Sequence, residues 1–568
     1  MTFLVSLIAL ACFICVLVPV KRLYTNYRLA KQTGLPIFIV PFNPYSIFWR
    51  IGSKLCAPLL QHVEWCRLLD TTFTWEDDAN QHAKYGETFI VVSPGLNIIY
   101  TCDKVAIDEV LAKRKIFIKP KLYESMDIFG KNVDTVNGED WARHRKITAP
   151  CFNERVSRFV WDESVRQSNA MLAQWLSQPG GKISNMVDDT RVIALHVLYA
   201  AGFGVKQDFD GGVRIPAPGH QLSHRDALMT VLNNLVTSII VTQKETFLNR
   251  ISKLLSPRLN SVLLAIKEFR QYTDEAIASE RKLLSNDRNA QKHNLMSTLI
   301  RTSDQAQADG FQSAGQLTDD EIKGNIFIFN LAGHDTTANT LAYAFALLAI
   351  YPDVQRWVNE EVDQVLQDDD NPNYEEMHPR LKRVLAVMYE TLRLYGAVPQ
   401  IPRGTIAPNV PLTITNPNPT TASSTSTIFI PPNTELVLNM HAMHTSPTNY
   451  ADHITWNPKR WITSPSTSQS VSSVLNEETF LHMDLGFAAW AGGPRICPGM
   501  KFAQVEFTGV LSTVLRKVWV APSTKGSEKV SETVARKEVL GLVRDSANIG
   551  ATLSMRRPEE LWLKVRRR

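Results

Sequence analysis

Residues 490–500 read WAGGPRICPGM, so Gly492, Gly493, Pro494 and Pro498 bracket Cys497. A helix-forming run, Lys501-Phe502-Ala503-Gln504-Val505-Glu506, follows at once. This is the arrangement of a thiolate held in a tight loop at a helix N-terminus. Glycine lets the backbone approach a flat ligand. Free backbone N–H groups and the helix dipole lower the thiol pKa and stabilise a negative sulfur. Arg495 places a cation two residues away. A lone cysteine in a loop is more often structural, so other residues must agree before chemistry is assigned to it.

Three further groupings stand out. Ala332-Gly333-His334-Asp335-Thr336-Thr337 puts five small or polar residues after an alanine inside an otherwise apolar run. A buried helix does not carry such groups without a partner, and Gly333 permits a local kink or bulge. Trp141 and Arg145 are spaced i, i+4, which points both side chains one way. Glu390 and Arg393 are spaced i, i+3 and can form one charge-assisted unit, although helices are full of such pairs.

Together these stretches resemble the cytochrome P450 family. Trp490, Gly493, Arg495, Cys497 and Gly499 meet the spacing of its haem-binding loop, with Trp490 in place of the usual Phe. Glu390-Thr391-Leu392-Arg393 is similar to the family's Glu-x-x-Arg. Trp456-Asn457-Pro458-Lys459-Arg460-Trp461 resembles its Phe-x-Pro-Glu-Arg-Phe segment, with Lys459 replacing the acid. Residues 332–337 resemble its oxygen-activation motif. The resemblance runs from about residue 36 to the C-terminus and departs only in two low-complexity insertions.

The resemblance implies haem b as cofactor, with Cys497 as axial thiolate and metal ligand. It gives Trp141, Arg145, Arg403, Arg495 and Gly493 cofactor-binding roles, and His444 a further one. Three arginines against two propionates balance a buried dianion. Asp335 would relay protons, Thr336 would hydrogen-bond dioxygen, and His334 is no ligand. Arg460 would join Glu390 and Arg393 in a buried triad. A lipophilic pocket would draw on Leu122, Tyr123, Met126, Ile128, Phe129, Phe327, Ile328, Leu331, Ala397, Val398 and Ile401.

Elements must place these groups. Thr318-Asp319-Asp320-Glu321 is a capping box. The run from there is apolar on most faces to about Ile350, where Tyr351-Pro352 stops it, so it predicts a long helix buried in the middle of the body. A second helix is expected over about Pro379 to Leu394. Glu87–Ser93 and Leu96–Thr101 flank Pro94-Gly95 and predict a hairpin. Thr405–Asn439 is strand-like, with residues 416–427 as a surface insertion. Residues 464–473 and 368–370 are expected as surface loops.

The chain has 568 residues, 44% hydrophobic and 21% charged, which excludes disordered, collagen-like and multi-span membrane classes. Its net charge of +5 does not argue for nucleic acid. The 7 cysteines are scattered and odd in number, against a disulfide framework or a zinc site. Phe3 to Val20 carries no charge, and Lys21, Arg22, Arg28 and Lys31 follow it. That predicts a membrane anchor with the body on the cytosolic side. A cleaved signal peptide is the competing reading, but no basic n-region or small-residue cleavage site is present.

The expected fold is therefore mainly α with small β-sheets. One large helical domain of the cytochrome P450 fold, residues 51–568, encloses the haem. It follows an N-terminal transmembrane helix at 1–22 and a Pro-containing linker at 23–50. The expected function is a haem-thiolate monooxygenase in the endoplasmic reticulum membrane, acting with O2 on a lipophilic small molecule of fungal secondary metabolism. No GxGxxG or ferredoxin cysteine set is present, so electrons would come from a separate NADPH-cytochrome reductase. The alternatives are a lipid, sterol or xenobiotic hydroxylase, a non-redox haem-thiolate isomerase or dehydratase, and a haem-binding carrier.

Overall fold

The structure, a computed structural model, describes residues 2–46, 49, 63–69, 73–210, 216–245, 256–286, 294–308, 316–367, 372–416, 424–463, 474, 477–479, 486–526, 530–549 and 552–568, excepting the side chains of 2–16, 73, 284–286, 306–308 and 548–549. Residues 417–423, 464–473 and 368–370, where surface loops are expected, lie outside the described residues. The chain forms two compact units. Unit 1 comprises 1–120, 393–455 and 482–497, and unit 2 comprises 121–392, 456–481 and 498–568.

Unit 1 is built on a six-stranded sheet. Its strands and its hairpin are β1 (Ile37–Ile39), β2 (Thr88–Val92), β3 (Asn97–Thr101), β4 (Phe117–Ile118), β5 (Gln400–Thr405), β6 (Val410–Thr415), β7 (Thr425–Ile430) and β8 (Thr434–Asn439). The sheet order is β1-β2-β3-β8-β5-β4, and β6 and β7 form a separate antiparallel pair. The expected hairpin is β2–β3, with Ile90 opposite Ile99. Successive side chains of these strands point to opposite faces. Ile90, Val92 and Ile99 therefore join Leu436 and Leu438 in one core, while Phe89, Val91, Ile98 and Tyr100 enter the other. Both faces are covered, which is why these strands read as continuous apolar runs.

The first helix, α1 (Thr2–Lys31), reaches this sheet directly. Asn26 Nδ2 donates to Ser93 O at 2.8 Å, and Asn97 Nδ2 donates to Asn26 O at 3.1 Å. The 23–50 stretch, expected as a linker, carries the end of α1 and then β1, which pairs in parallel with β2. Three residues are too few for a periodicity signal, and the pairing is made by backbone groups. Among the described residues no helix is long and apolar enough to cross a membrane. The side chains of 2–16 are not among those described, so the expected anchor over 1–22 lies largely outside the described residues. A shorter helix of unit 1, α2 (Lys104–Ala112), is capped by Asp103, which accepts from Val105 N–H.

Unit 2 is helical. Its main elements are α3 (Gly138–Thr148), α4 (Glu154–Ser177), α5 (Met186–Phe203), α6 (Asp319–Ile350), α7 (Lys382–Leu394) and α8 (Met500–Lys517). The predicted long helix is α6, opened by the expected capping box between Thr318 and Glu321. Nearly all its faces are buried, consistent with its lack of a polar stripe. Pro352 lacks an N–H to continue the ladder and starts the next helix instead. The chain at 130–131 lies on the first turns of α6: a Cβ on Gly324 would stand 2.3 Å from Gly130 O. A Cβ on Gly130 would in turn meet Asp320 O at 2.0 Å, so neither position accepts a side chain. A short antiparallel hairpin, Ser546–Ile549 with Thr552–Met555, packs on α6.

Candidate functional site

Unit 1 holds Gly493, Arg495, Cys497 and Arg403, and unit 2 holds Trp141, Arg145, Asp335 and Thr336. In unit 1 the cysteine loop is shaped by its backbone. Cys497 N–H donates to Trp490 O at 3.0 Å, and Ile496 N–H to Gly493 O at 3.1 Å. Ala491 and Gly493 both have positive φ, 59° and 60°. At Gly493 a Cβ would stand 2.4 Å from Leu111 O at the end of α2, so only glycine lets the loop close there. Cys497 is exposed, at the chain position just before α8. Trp490 keeps an aromatic in the loop and stands edge-on to Phe487, with ring centroids 6.1 Å apart.

Arg403 is buried on β5, and its Nη1 donates to Pro402 O at 2.9 Å. His444, a further expected cofactor residue, is committed elsewhere. Its Nε2 accepts the Ala488 N–H at 3.1 Å, and its ring stacks on Phe487. Burial pushes its pKa down to about 3, so it is a neutral prop beneath the segment leading to the loop. Arg393 is fully buried and donates to the carbonyls of His444, His453 and Thr455, with its guanidinium 4.9 Å from the Tyr450 ring.

In unit 2 the polar turn 332–337 lies inside an unbroken α-helix rather than at the expected kink. Gly333 serves a close approach instead, with Leu198 Cδ2 of α5 3.0 Å from where its Cβ would be. Thr336 Oγ1 donates to Ala332 O at 2.8 Å. The Asp335 carboxylate is held by two residues that sequence reasoning missed. Thr552 donates its hydroxyl proton to Oδ2, and Asn339 Nδ2 donates to Oδ1 at 3.3 Å. Thr552 lies 217 residues from Asp335, and no local signal links them. His334 is buried, and that burial lowers its pKa, so its ring is neutral.

Trp141 is buried in α3, and Arg145 follows one turn later, half-buried. Their helix is fastened to α6 by Glu321. That carboxylate accepts Arg143 Nη1 at 2.8 Å, Arg143 Nη2 at 2.6 Å and the Thr318 N–H at 2.9 Å. Despite burial, these bonds hold the Glu321 pKa down at about 2. Asn325 donates to His144 Nδ1 at 3.0 Å, which leaves the Nε2–H of a neutral ring to face Glu321 at 3.3 Å.

Glu390 is fully buried and meets Arg460 Nε at 3.1 Å, Trp461 Nε1 at 2.9 Å and the Asn457 N–H at 2.9 Å. The Glu390–Arg460 part of the expected triad is thus formed. Lys459, in place of the family's acid, lies over the Trp357 ring at 5.8 Å. Of the expected pocket residues in unit 2, Ile128, Phe129, Phe327, Ile328 and Leu331 share one apolar cluster that includes Trp141. The Phe129 and Phe327 rings pack on each other, 4.9 Å apart. Leu122 and, in unit 1, Val398 are exposed.

The donor set fits a haem. A porphyrin iron brings most of its ligands and asks one sulfur of the protein. Cys497 is an exposed thiol, whereas Cys66, Cys102 and Cys151 are buried. Burial pushes those three thiols up, Cys151 to about 12. Among the described residues no group of His, Cys, Asp and Glu would hold a bare metal ion. An accessible soft ligand with Arg495 and Arg403 in the same unit suits a metal carried in an anionic organic ring.

The family model described as Cytochrome P450 matches residues 54–544. A cytochrome P450 monooxygenase of Penicillium roqueforti is 30% identical over 517 residues, covering 86% of each chain. A cytochrome P450 monooxygenase of the phomenoic acid biosynthesis cluster of Leptosphaeria maculans is 28% identical, covering 95% of each. Among solved structures, the cytochrome P450DA heme domain aligns over 94% of this chain and 98% of its own, with a TM-score of 0.64 at 18% identity, a likeness of fold.

Proposed function

This chain belongs to the cytochrome P450 family, and from that premise we propose that it is a haem-thiolate monooxygenase inserting one oxygen atom of O2 into a lipophilic small molecule, by hydroxylation or epoxidation. The pathway proposed is fungal secondary metabolism, supported by the biosynthesis-cluster relative from Leptosphaeria maculans. Electrons come from a separate NADPH-dependent reductase. The cellular setting is the endoplasmic reticulum membrane, crossed once by residues 3–20, with the basic residues Lys21 to Lys31 and the catalytic body on the cytosolic side.

The observation that carries this reading is the accessible Cys497 thiol, in a loop that Gly493 fits against Leu111. When bound, the haem supplies reductive activation of dioxygen, one atom leaving as water and the other entering the substrate. Cys497 would supply the anionic sulfur that holds the iron. In unit 1, Arg403 and Arg495 would neutralise propionates, and the family resemblance gives Arg145 and Trp141 of unit 2 the same cofactor-binding role. Asp335 and Thr336 hold and pass protons. The apolar cluster around Phe129 and Phe327 excludes idle water and favours lipophilic ligands. A haem-thiolate isomerase or dehydratase needs no reductant and no proton delivery to dioxygen, so the intact Asp335-Thr336 pair favours the monooxygenase.

Full-length Cys497→Ala, expressed with haem supplied, tests the assignment. The expected result is loss of the thiolate-type carbon monoxide difference spectrum. An unchanged spectrum overturns it. Anaerobic titration with a lipophilic library, read as the spin-state change on ligand binding, identifies the substrate class.

A further inference from the structure

The Asp335 carboxylate is not left to solvent. Thr552 Oγ1 accepts the Asn339 side-chain N–H at 3.1 Å and gives its own proton to Asp335 Oδ2, while Asn339 also donates to Asp335 Oδ1. The three side chains close a ring of hydrogen bonds. Because Thr552 accepts from Asn339, its hydroxyl proton is directed at the carboxylate. Thr552 and Asn339 are both buried, so neither exchanges its partner readily for water. The hairpin carrying Thr552 is fixed on α6 at a second point, where Tyr343 OH donates to Ser546 Oγ at 2.8 Å. Leu553 is fully buried beside Thr552. The strand position that meets Asp335 is thus set by contacts independent of Asp335.

We propose that Thr552 and Asn339 are positioning residues for proton delivery, holding the Asp335 carboxylate in one rotamer through a hairpin far away in sequence. The proposal rests on the reading of Asp335 as a proton-relay residue. Losing the Thr552 hydroxyl frees the carboxylate to swing. Proton transfer to the outer oxygen then succeeds less often, and reduced oxygen leaves as hydrogen peroxide instead of water.

Two measurements on the full-length haem-loaded chain test this. The first is a urea-unfolding double-mutant cycle with Asp335→Ala and Thr552→Val. The unfolding constant of the double variant should differ about tenfold from the product of the single effects. Simple multiplication overturns the proposal. The second is the share of consumed oxygen ending as peroxide, with NADPH and a fungal P450 reductase and no added substrate. Asp335→Ala, Thr552→Val and Asn339→Ala should each raise that share by about threefold or more. Thr552→Ser should restore it. Tyr343→Phe loosens the same hairpin without touching the carboxylate and should lower stability with the share unchanged.

A shift with Asp335→Ala but not with Thr552→Val or Asn339→Ala overturns the positioning role and leaves the relay reading standing. No shift with Asp335→Ala overturns the relay reading and the proposal together. An equal shift with Tyr343→Phe overturns the proposal, because hairpin loosening alone would then explain it. Should Thr552→Val fail to fold, Asn339→Ala against Tyr343→Phe decides.

Discussion

Glu321 binds Arg143 through two parallel bonds, Nη1 to Oε2 and Nη2 to Oε1, with the same carboxylate that closes the capping box of α6. One side chain therefore starts the helix bearing Asp335 and Thr336 and fastens to it the helix bearing Trp141 and Arg145. Both partners are largely buried, so removing one leaves the other's charge without its counter-ion.

Glu321→Ala should destabilise unit 2 by about 3 kcal/mol or more, measured by urea unfolding. The pH dependence has a defined sign. The folded pKa is about 2 against an ordinary 4.5, so the contribution is fully present above 4.5 and is lost as pH falls towards 2. The stability gap between wild type and Glu321→Gln should narrow across that window.

Gly493 and Gly541 should respond oppositely to alanine. A Cβ at Gly493 meets the Leu111 carbonyl at a φ of 60°, so Gly493→Ala should cost about 2 kcal/mol or more and reduce haem incorporation. Gly541 lies in the helix Glu532–Arg544 with nothing within 4 Å of its would-be Cβ. Gly541→Ala should add about 0.5–1 kcal/mol. Thermal melts with haem absorbance check both.

His444→Leu should cost about 1–3 kcal/mol, since the buried Ala488 N–H loses its acceptor. The imidazole stays neutral in the fold, with a pKa near 3 against 6.5, so only the unfolded chain takes up a proton between those values. Wild type should lose stability as pH falls from 6.5, and that part of the slope should vanish in the variant, as read by urea titrations from pH 7 to 5.

Glu506 in α8 is fully buried, and neither carboxylate oxygen has a hydrogen-bond partner among the described residues. Burial pushes its pKa well above 4.5, so the folded state keeps the proton that the unfolded chain releases. Stability must then fall as pH rises above 4.5, by up to about 1.4 kcal/mol per pH unit from this group. Glu506→Gln should abolish that fall, so the variant should gain on wild type as pH rises above 4.5.

The features legible in the sequence were those written locally. Thr318 and Glu321 announce the start of α6 because a cap is made by neighbours, and Pro94-Gly95 marks the β2–β3 turn for the same reason. The cysteine loop was legible because glycine and proline fix its backbone. Gly333 was read for its freedom, when its use is the space it leaves for Leu198. The pairing of β1 with β2, the hold of Thr552 on Asp335 and the Ala488–His444 bond join residues distant in the chain. Such contacts are selected by burial in the finished fold and leave no periodicity or spacing behind. The resemblance gave His444 a cofactor role, and in the fold its buried ring accepts the Ala488 N–H.

The bonds of Asn26 to Ser93 and Asn97 give α1 a mechanical meaning. The helix does not end where its apolar residues do; it runs on through Lys21 and Arg22 until it is bolted to the hairpin. If residues 3–20 cross a bilayer, one helix, with Pro19 its one break in the backbone ladder, joins the immersed stretch to the sheet, and unit 1 follows the tilt of its last turns like a blade fixed to its handle. Inserting two glycines after Arg22, between the apolar stretch and Asn26, would uncouple them and let that unit reorient at the lipid surface.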